Sequence, residues 1–154
     1  MTTPERRLQE LGLTLPEVPA PVGNFVAGSR NGRLLFLSGQ GPLLENGELA
    51  RGKVGREVTT AEAYHHSRRT ALVLLAAARG LLGSLEPLRG VVRVFGFVNC
   101  VPGYGELSSV ADGCSDLLTE VLGDRGRHAR TTIGVASLPG GISVEYQAIC
   151  EIGG

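Results

Sequence analysis

The chain has 154 residues, with 15 basic and 15 acidic side chains and a formal net charge of zero. That length accommodates one domain with a real core and not two. The balanced charge argues against a nucleic-acid surface, which needs a basic patch or stripe.

The 23 glycines are spread along the chain, so they read as turns and close packing rather than as a linker. Cys100, Cys114 and Cys150 are odd in number and far apart, with no CxxC pair. Neither a disulfide framework nor a zinc site is expected, and a reducing, cytoplasmic setting fits best. The first residues, Met1-Thr2-Thr3-Pro4-Glu5-Arg6-Arg7, lack the apolar stretch of a signal peptide. No apolar run approaches the ~18 residues of a membrane span, so no membrane partner is expected.

In chain order, residues 4–13 form a short amphipathic segment carrying Leu8, Leu11 and Leu13. Leu15 to Val22 contains Pro16, Pro19 and Pro21 and must be extended. Two β-like runs follow, Phe25-Val26-Ala27 and Leu34 to Ser38, joined through Arg30-Asn31-Gly32-Arg33. Asn-Gly there predicts a type I′ hairpin turn. A second Asn-Gly, Asn46-Gly47, marks another tight turn.

Thr59-Thr60-Ala61-Glu62 reads as a capping box. It opens a helix running to about Gly80 or Gly83, with Tyr64, Ala71, Leu72, Leu75 and Ala78 at helical spacing. Val91 to Val98 reads as a strand. Leu107, Val110, Ala111, Cys114, Leu117, Leu118 and Val121 mark a second amphipathic helix, stopped by Gly123. The order is that of an α+β domain, one mixed sheet covered by two helices on one face.

The last third carries the chemistry. Ala129-Arg130-Thr131-Thr132, Leu138-Pro139-Gly140-Gly141 and Val144-Glu145-Tyr146 read as a hairpin with Arg130 on its first strand and Glu145 on its second. An arginine fork matches a carboxylate bidentately. A carboxylate within a β-rich strand needs a partner or a purpose. Alternation puts Ile133 and Val135 on the apolar face with Val144, Tyr146, Ala148, Cys150 and Ile152. The other face then holds Arg130, Thr132, Glu145 and Gln147, and we expect it to pack against other subunits and border a cleft. With a turn near Gly140, the two charges are about 16 Å apart. They do not pair in one flat hairpin: the strand bends, or the pocket draws on two chains, or each charge is satisfied separately.

Of the remaining groups, His128 shares one side of an extended segment with Arg130, as a proton donor, a substrate contact or a backbone-bonded loop residue. His65 and His66 point about 100° apart on their helix and are poor co-ligands; they read as surface or interface residues. Arg68-Arg69 and Arg125-Arg127 read as solvated basic clusters.

Several segments together resemble the RidA/YjgF family, also called the endoribonuclease L-PSP family. They are Ala20 to Val26, Leu37-Ser38-Gly39-Gln40-Gly41-Pro42, Val94 to Asn99, Ala129-Arg130, Leu138-Pro139 and Val144-Glu145. Gly126 to Arg130 and Ser115 to Leu118 mark a divergent subgroup. The resemblance runs from about Pro21 to Ile152 and leaves residues 1–20 as an N-terminal extension to a domain of residues 21–154.

It implies a chorismate-mutase-like fold and a homotrimer with clefts between subunits. It also implies hydrolysis of small enamine or imine carboxylates of the 2-aminoacrylate type, without metal or organic cofactor. In that reading Arg130 binds the substrate carboxylate and Glu145 positions water. Ser38 and Gly39 line the pocket, and Phe25 and Thr132 stand where many members have tyrosine and cysteine. Ala111 falls near an asparagine of some members. A non-catalytic carboxylate-binding trimer is the alternative. Ribonuclease activity ranks lower, since no histidine pair has catalytic spacing and few aromatics are available for stacking. Chorismate mutase activity rests on fold analogy alone.

Overall fold

The structure is a computed structural model and describes residues 2–153. Helix α1 (Pro4–Glu10) precedes strands β1 (Gly28–Asn31) and β2 (Leu34–Gln40). Then come α2 (Thr60–Leu82), β3 (Leu88–Asn99), α3 (Leu107–Leu122), β4 (Ala129–Val135) and β5 (Val144–Ile152). The five strands form one sheet in the order β1-β2-β5-β3-β4. It is an α+β domain, as the sequence pattern predicts.

The helix boundaries follow the sequence signals. Thr59 Oγ1 accepts a bond from Glu62 N at 3.1 Å, and Gly83 ends α2 with φ +85°. Gly123 ends α3 at φ +62°. The first hairpin turns one residue later than predicted. Asn31 pairs with Leu34, so the two-residue loop is Gly32-Arg33 and only Gly32 has positive φ. A type I′ turn centred on Asn31-Gly32 would need positive φ at Asn31 as well; a glycine in the first loop position suits type II′. The strand itself starts at Gly28, not Phe25.

The larger correction concerns the C-terminal strands, which are not a hairpin. β3 lies between β4 and β5, parallel to β4 and antiparallel to β5. A parallel pair needs a crossover, and α3 supplies it. Gly140 and Gly141, at φ +63° and +73°, belong to a wide connection around the end of β3 rather than to a tight turn. There Asn99 N donates to Ser143 O at 2.8 Å.

Face assignment changes with topology. On β5, Val144, Tyr146, Ala148, Cys150 and Ile152 are buried under the helices, as alternation predicts. On β4 the faces are the reverse of expectation. Arg130 pairs with buried Val94 and Gly134 with buried Val98, so Arg130, Thr132 and Gly134 point to the helix side. Ile133 and Val135 share the open face with Phe97 and Asn99.

The core lies between the sheet and α2 with α3, where the run from Ala71 to Ala78 is wholly buried. Tyr146 is fully buried, and its hydroxyl bonds Ser67 Oγ at 2.8 Å. Its ring lies where a Cβ on Gly96 would be. The N-terminal segment also joins this core: Leu8 and Leu15 are buried, and Arg7 Nε donates to Glu120 O at 2.9 Å.

Gly113 lets α3 lie directly on α2. A Cβ there would collide with the Tyr64 carbonyl oxygen and come within 3.0 Å of Ser67 Cβ. Gly113→Ala is therefore expected to destabilise the fold by about 3 kcal/mol, read as a lower urea midpoint at unchanged slope.

Candidate functional site

The predicted site residues fall into two clusters on opposite faces of the sheet. The first lies between β4 and α3. Arg130 is mostly buried, and its Nη1 donates to Asp112 Oδ1 at 2.9 Å and to Ser115 Oγ at 3.0 Å. Nη2 makes a longer contact, 3.4 Å, with the Ser108 carbonyl. Ser108, Asp112 and Ser115 recur at helical spacing and form a polar stripe along α3.

His128 does not face a cleft as a free proton donor. Its Nδ1 lies 2.6 Å from the Gly126 carbonyl, so that nitrogen carries the proton. Nε2, 2.8 Å from Ser115 Oγ, then accepts the serine proton. The bonds run in one direction: Arg130 donates to Ser115, Ser115 to His128, and His128 to Gly126. Burial, more than the nearby Arg130 charge, holds the His128 imidazole below the usual histidine range. Thr132 points to the helix side two residues on, and its buried hydroxyl has no partner. Ala111 is fully buried in α3.

The second cluster lies where β2 meets β5. Glu145 pairs with Phe97 and so sits on the open face. A Cβ on Gly39 would lie 2.9 Å from Glu145 Oε2; glycine leaves room for that carboxylate against the backbone. Burial alone pushes the Glu145 carboxyl above the usual range. Ser38 donates its hydroxyl to Val26 O at 2.6 Å, pinning the segment that carries the exposed Phe25.

One chain does not bring the clusters together. Arg130 is level with Val94 on β3, and Glu145 with Phe97. Three residues along the strand and two strand spacings across separate their backbones by about 14 Å, and their side chains leave opposite faces.

Sequence reasoning missed Asp112 and Ser115. The polar stripe on α3 is visible in the sequence, but its partner is not, because alternation on β4 points to the other face as the buried one. It also missed Lys53, the single lysine in the chain. Lys53 Nζ donates to Asn99 Oδ1 at 2.8 Å and to Ala136 O at 2.5 Å. It borders a cavity of about 570 Å³ lined by Cys100, Tyr104, Leu107 and Gly134 among others. A larger cavity, about 1000 Å³, lies between residues 12–20 and 43–49 and contains neither cluster.

His66 is buried rather than superficial, with Nδ1 2.8 Å from Ser143 Oγ. Cys114 and Cys150 are buried, as predicted, and burial pushes both thiols up to about 12. Among the described residues, no group of three His, Cys, Asp or Glu is placed to hold a metal. Among the described residues no helix is long and apolar enough to cross a membrane.

A five-stranded mixed sheet with a β3-α3-β4 crossover, two covering helices and an arginine at the start of β4 defines a chorismate-mutase-like α+β domain. The chain belongs to the YjgF family: the profile described as "YjgF/chorismate mutase-like, putative endoribonuclease" matches residues 5–144. Protein TCP17 of Trypanosoma cruzi is 40% identical over 146 residues, 94% of this chain and 91% of that protein. The crystal structure of Atu1372 from Agrobacterium tumefaciens, a protein of unknown function, is 43% identical. Its TM-score is 0.88, with 97% of this chain and 92% of that chain covered. Escherichia coli TdcF, solved with bound serine, shares the fold at 20% identity and TM-score 0.59, covering 87% of this chain and 92% of that one.

Burial lowers the pKa of both His66 and His128. The folded state therefore binds fewer protons than the unfolded chain, and stability is lost as pH falls from about 6.5 through the folded values. The raised Glu145 carboxyl has the opposite sign, its contribution being lost as pH rises through its folded value. The urea midpoint is expected to fall between about pH 7 and pH 5. The fall should be shallower in the His66→Gln, His128→Gln double variant.

Proposed function

We propose that the chain is a homotrimeric hydrolase of small enamine or imine carboxylates, of the 2-aminoacrylate type, yielding 2-oxo acids and ammonia. The observation that carries this reading is the separation of Arg130 and Glu145 onto opposite faces of one sheet. A guanidinium and a half-buried carboxylate serve one small substrate only where a second chain brings the missing partner. The open face suits such an assembly: Phe36, Val92 and Ile133 lie exposed on it, each about 40% or more accessible. Apolar residues grouped in this way mark an interaction surface.

In the proposed cleft Arg130 of one subunit holds the substrate carboxylate. Glu145 of its neighbour, beside Gly39, orients a water. The water oxygen adds to the carbon of the protonated imine while its proton passes to Glu145. That proton returns to the nitrogen; the C–N bond then breaks and ammonia leaves as Glu145 takes the hydroxyl proton and the carbonyl forms, the proton passing on to give ammonium. A protonated imine is already electrophilic, so positioning the water is most of the task. A carboxyl raised by burial is a better base once ionised. TdcF, a protein of this fold, holds an amino acid, and this supports a small carboxylate as ligand. His128, with both ring nitrogens engaged, is poorly placed for the acid–base work of RNA cleavage.

The alternative is a trimer that binds small carboxylates without turnover. It is favoured by Phe25 and Thr132, which stand where the resemblance would put a tyrosine hydroxyl and a cysteine thiol.

A coupled assay decides between them. A pyridoxal-dependent dehydratase generates 2-aminoacrylate or 2-aminocrotonate, and 2-oxo acid formation is followed. Wild type is expected to accelerate its appearance and Arg130→Ala to lose at least about a hundredfold of the effect, as removal of a charged substrate anchor does. Glu145→Gln is expected to bind ligand but not to turn it over. The wild-type rate should rise through an acid limb set by the raised Glu145 carboxyl and then level off. No acceleration by wild type, with carboxylate binding that still depends on Arg130, would leave the binding trimer as the correct reading.

The quaternary state is checked separately. Native mass spectrometry is expected to give three times the chain mass, and Ile133→Asp to shift the population to monomer.

A further inference from the structure

Arg130 is not an empty clamp. Asp112 accepts from its Nη1 at 2.9 Å, and Ser115 shares the same nitrogen. Among the described residues Arg130 Nε donates to nothing and Nη2 makes only the long 3.4 Å contact with the Ser108 carbonyl, so the Nε side of the fork is the edge least engaged and open to a ligand. Asp112 itself is about half exposed, 55%, against 19% for Arg130. The acidic group therefore stands at the solvent side of the pair. Only its Oδ1 is engaged by Arg130, and Oδ2 has no partner among the described residues.

We propose that Asp112 is a specificity-determining residue. It makes the Arg130 site select carboxylates that carry a positive nitrogen on the adjacent carbon over plain carboxylates such as 2-oxo acids. This rests on the reading of Arg130 as the carboxylate anchor.

The argument is one of charge. Asp112 already neutralises the guanidinium, so a plain carboxylate arriving at the free edge meets a second carboxylate a few ångströms away and no net positive charge. An α-iminium or α-ammonium acid brings its own cation. Its carboxylate takes the free edge of Arg130, and its nitrogen lies within reach of Asp112. The four charges then alternate. Substrate and product of the proposed reaction differ in this respect. The protonated imine has the cation, and the 2-oxo acid has lost it as ammonium. The same aspartate that retains the substrate disfavours the product and speeds its departure.

A purely structural role is separable from this one. Asp112→Asn keeps the size and an oxygen acceptor for Arg130, so the fold and the Arg130 rotamer should persist while the negative charge goes. Calorimetric titration of the trimer uses 2-aminobutanoate, a stable α-ammonium acid, and 2-oxobutanoate, its plain counterpart. Wild type is expected to bind the amino acid up to about fivefold tighter, the scale of one partly exposed charge pair. In Asp112→Asn the preference should vanish, chiefly through tighter binding of 2-oxobutanoate. Arg130→Ala should lose both ligands. An unchanged preference in Asp112→Asn overturns the inference and leaves the anchor reading intact. Undiminished binding of both ligands by Arg130→Ala overturns the anchor reading instead. Failure of wild type and Asp112→Asn to bind either ligand overturns both.

Discussion

The parallel pairing of β3 with β4 is the constraint on which the rest of the molecule depends. Residues paired across neighbouring strands point to the same face, and the crossover through α3 sets β4 beside β3 in the register that pairs Arg130 with Val94. Arg130 must then follow Val94 toward the helices, and Ile133 must follow Phe97 to the open face. The crossover helix lies directly over the start of β4, so Asp112 and Ser115 meet the guanidinium. One topological choice thus buries the arginine, supplies its partners and leaves Glu145 on the other side of the sheet.

The two charged groups live in different electrostatic surroundings as a result. Arg130 is wrapped in acceptors: a carboxylate, a hydroxyl and a carbonyl. Its orientation is fixed before any ligand arrives, which lowers the entropy cost of binding one. The His128 imidazole extends this support, since it holds the Ser115 hydroxyl from behind. Glu145 is the reverse case. It is half buried beside Gly39, and burial favours its neutral form. In the proposed function the positioned cation and the unpartnered carboxylate are the two halves of one site. In the proposed assembly the open, apolar face of the sheet joins them.

The local elements were readable from sequence, the pairing less so. The capping box at Thr59 and the stop at Gly83 fix α2 because both act through bonds within a few residues. The alternation of Val144 to Ile152 predicts its buried face because every second residue is apolar. β4 defeated the same rule. In Ala129 to Val135 the apolar residues at Ile133 and Val135 point, by alternation, to the core, yet they lie on the open face. The true inward set is Arg130, Thr132 and Gly134: Arg130 meets the polar stripe of α3, and Gly134 leaves room for Cys100 and Leu107. The glycines at 140 and 141 reinforced a hairpin reading. The pattern of Val91 to Val98, a helix, then Ala129 to Val135 is strand–helix–strand, and it carries the signal for a parallel pair. The arginine and glutamate stood out as residue types, but their separation by face depended on contacts far apart in sequence.

The central claim, that Arg130 and Glu145 act together only across a subunit boundary, is tested most directly by complementation. Arg130→Ala and Glu145→Gln chains would be unfolded together in equal amounts, refolded as mixed trimers and assayed for imine hydrolysis beside each parent. Each parent alone should be inactive. Random mixing places an intact Arg130 against an intact Glu145 of a neighbour in about a quarter of the clefts, and that fraction of wild-type activity should return. No recovery in mixed trimers whose composition is verified by mass would show that the two residues do not share a cleft between chains.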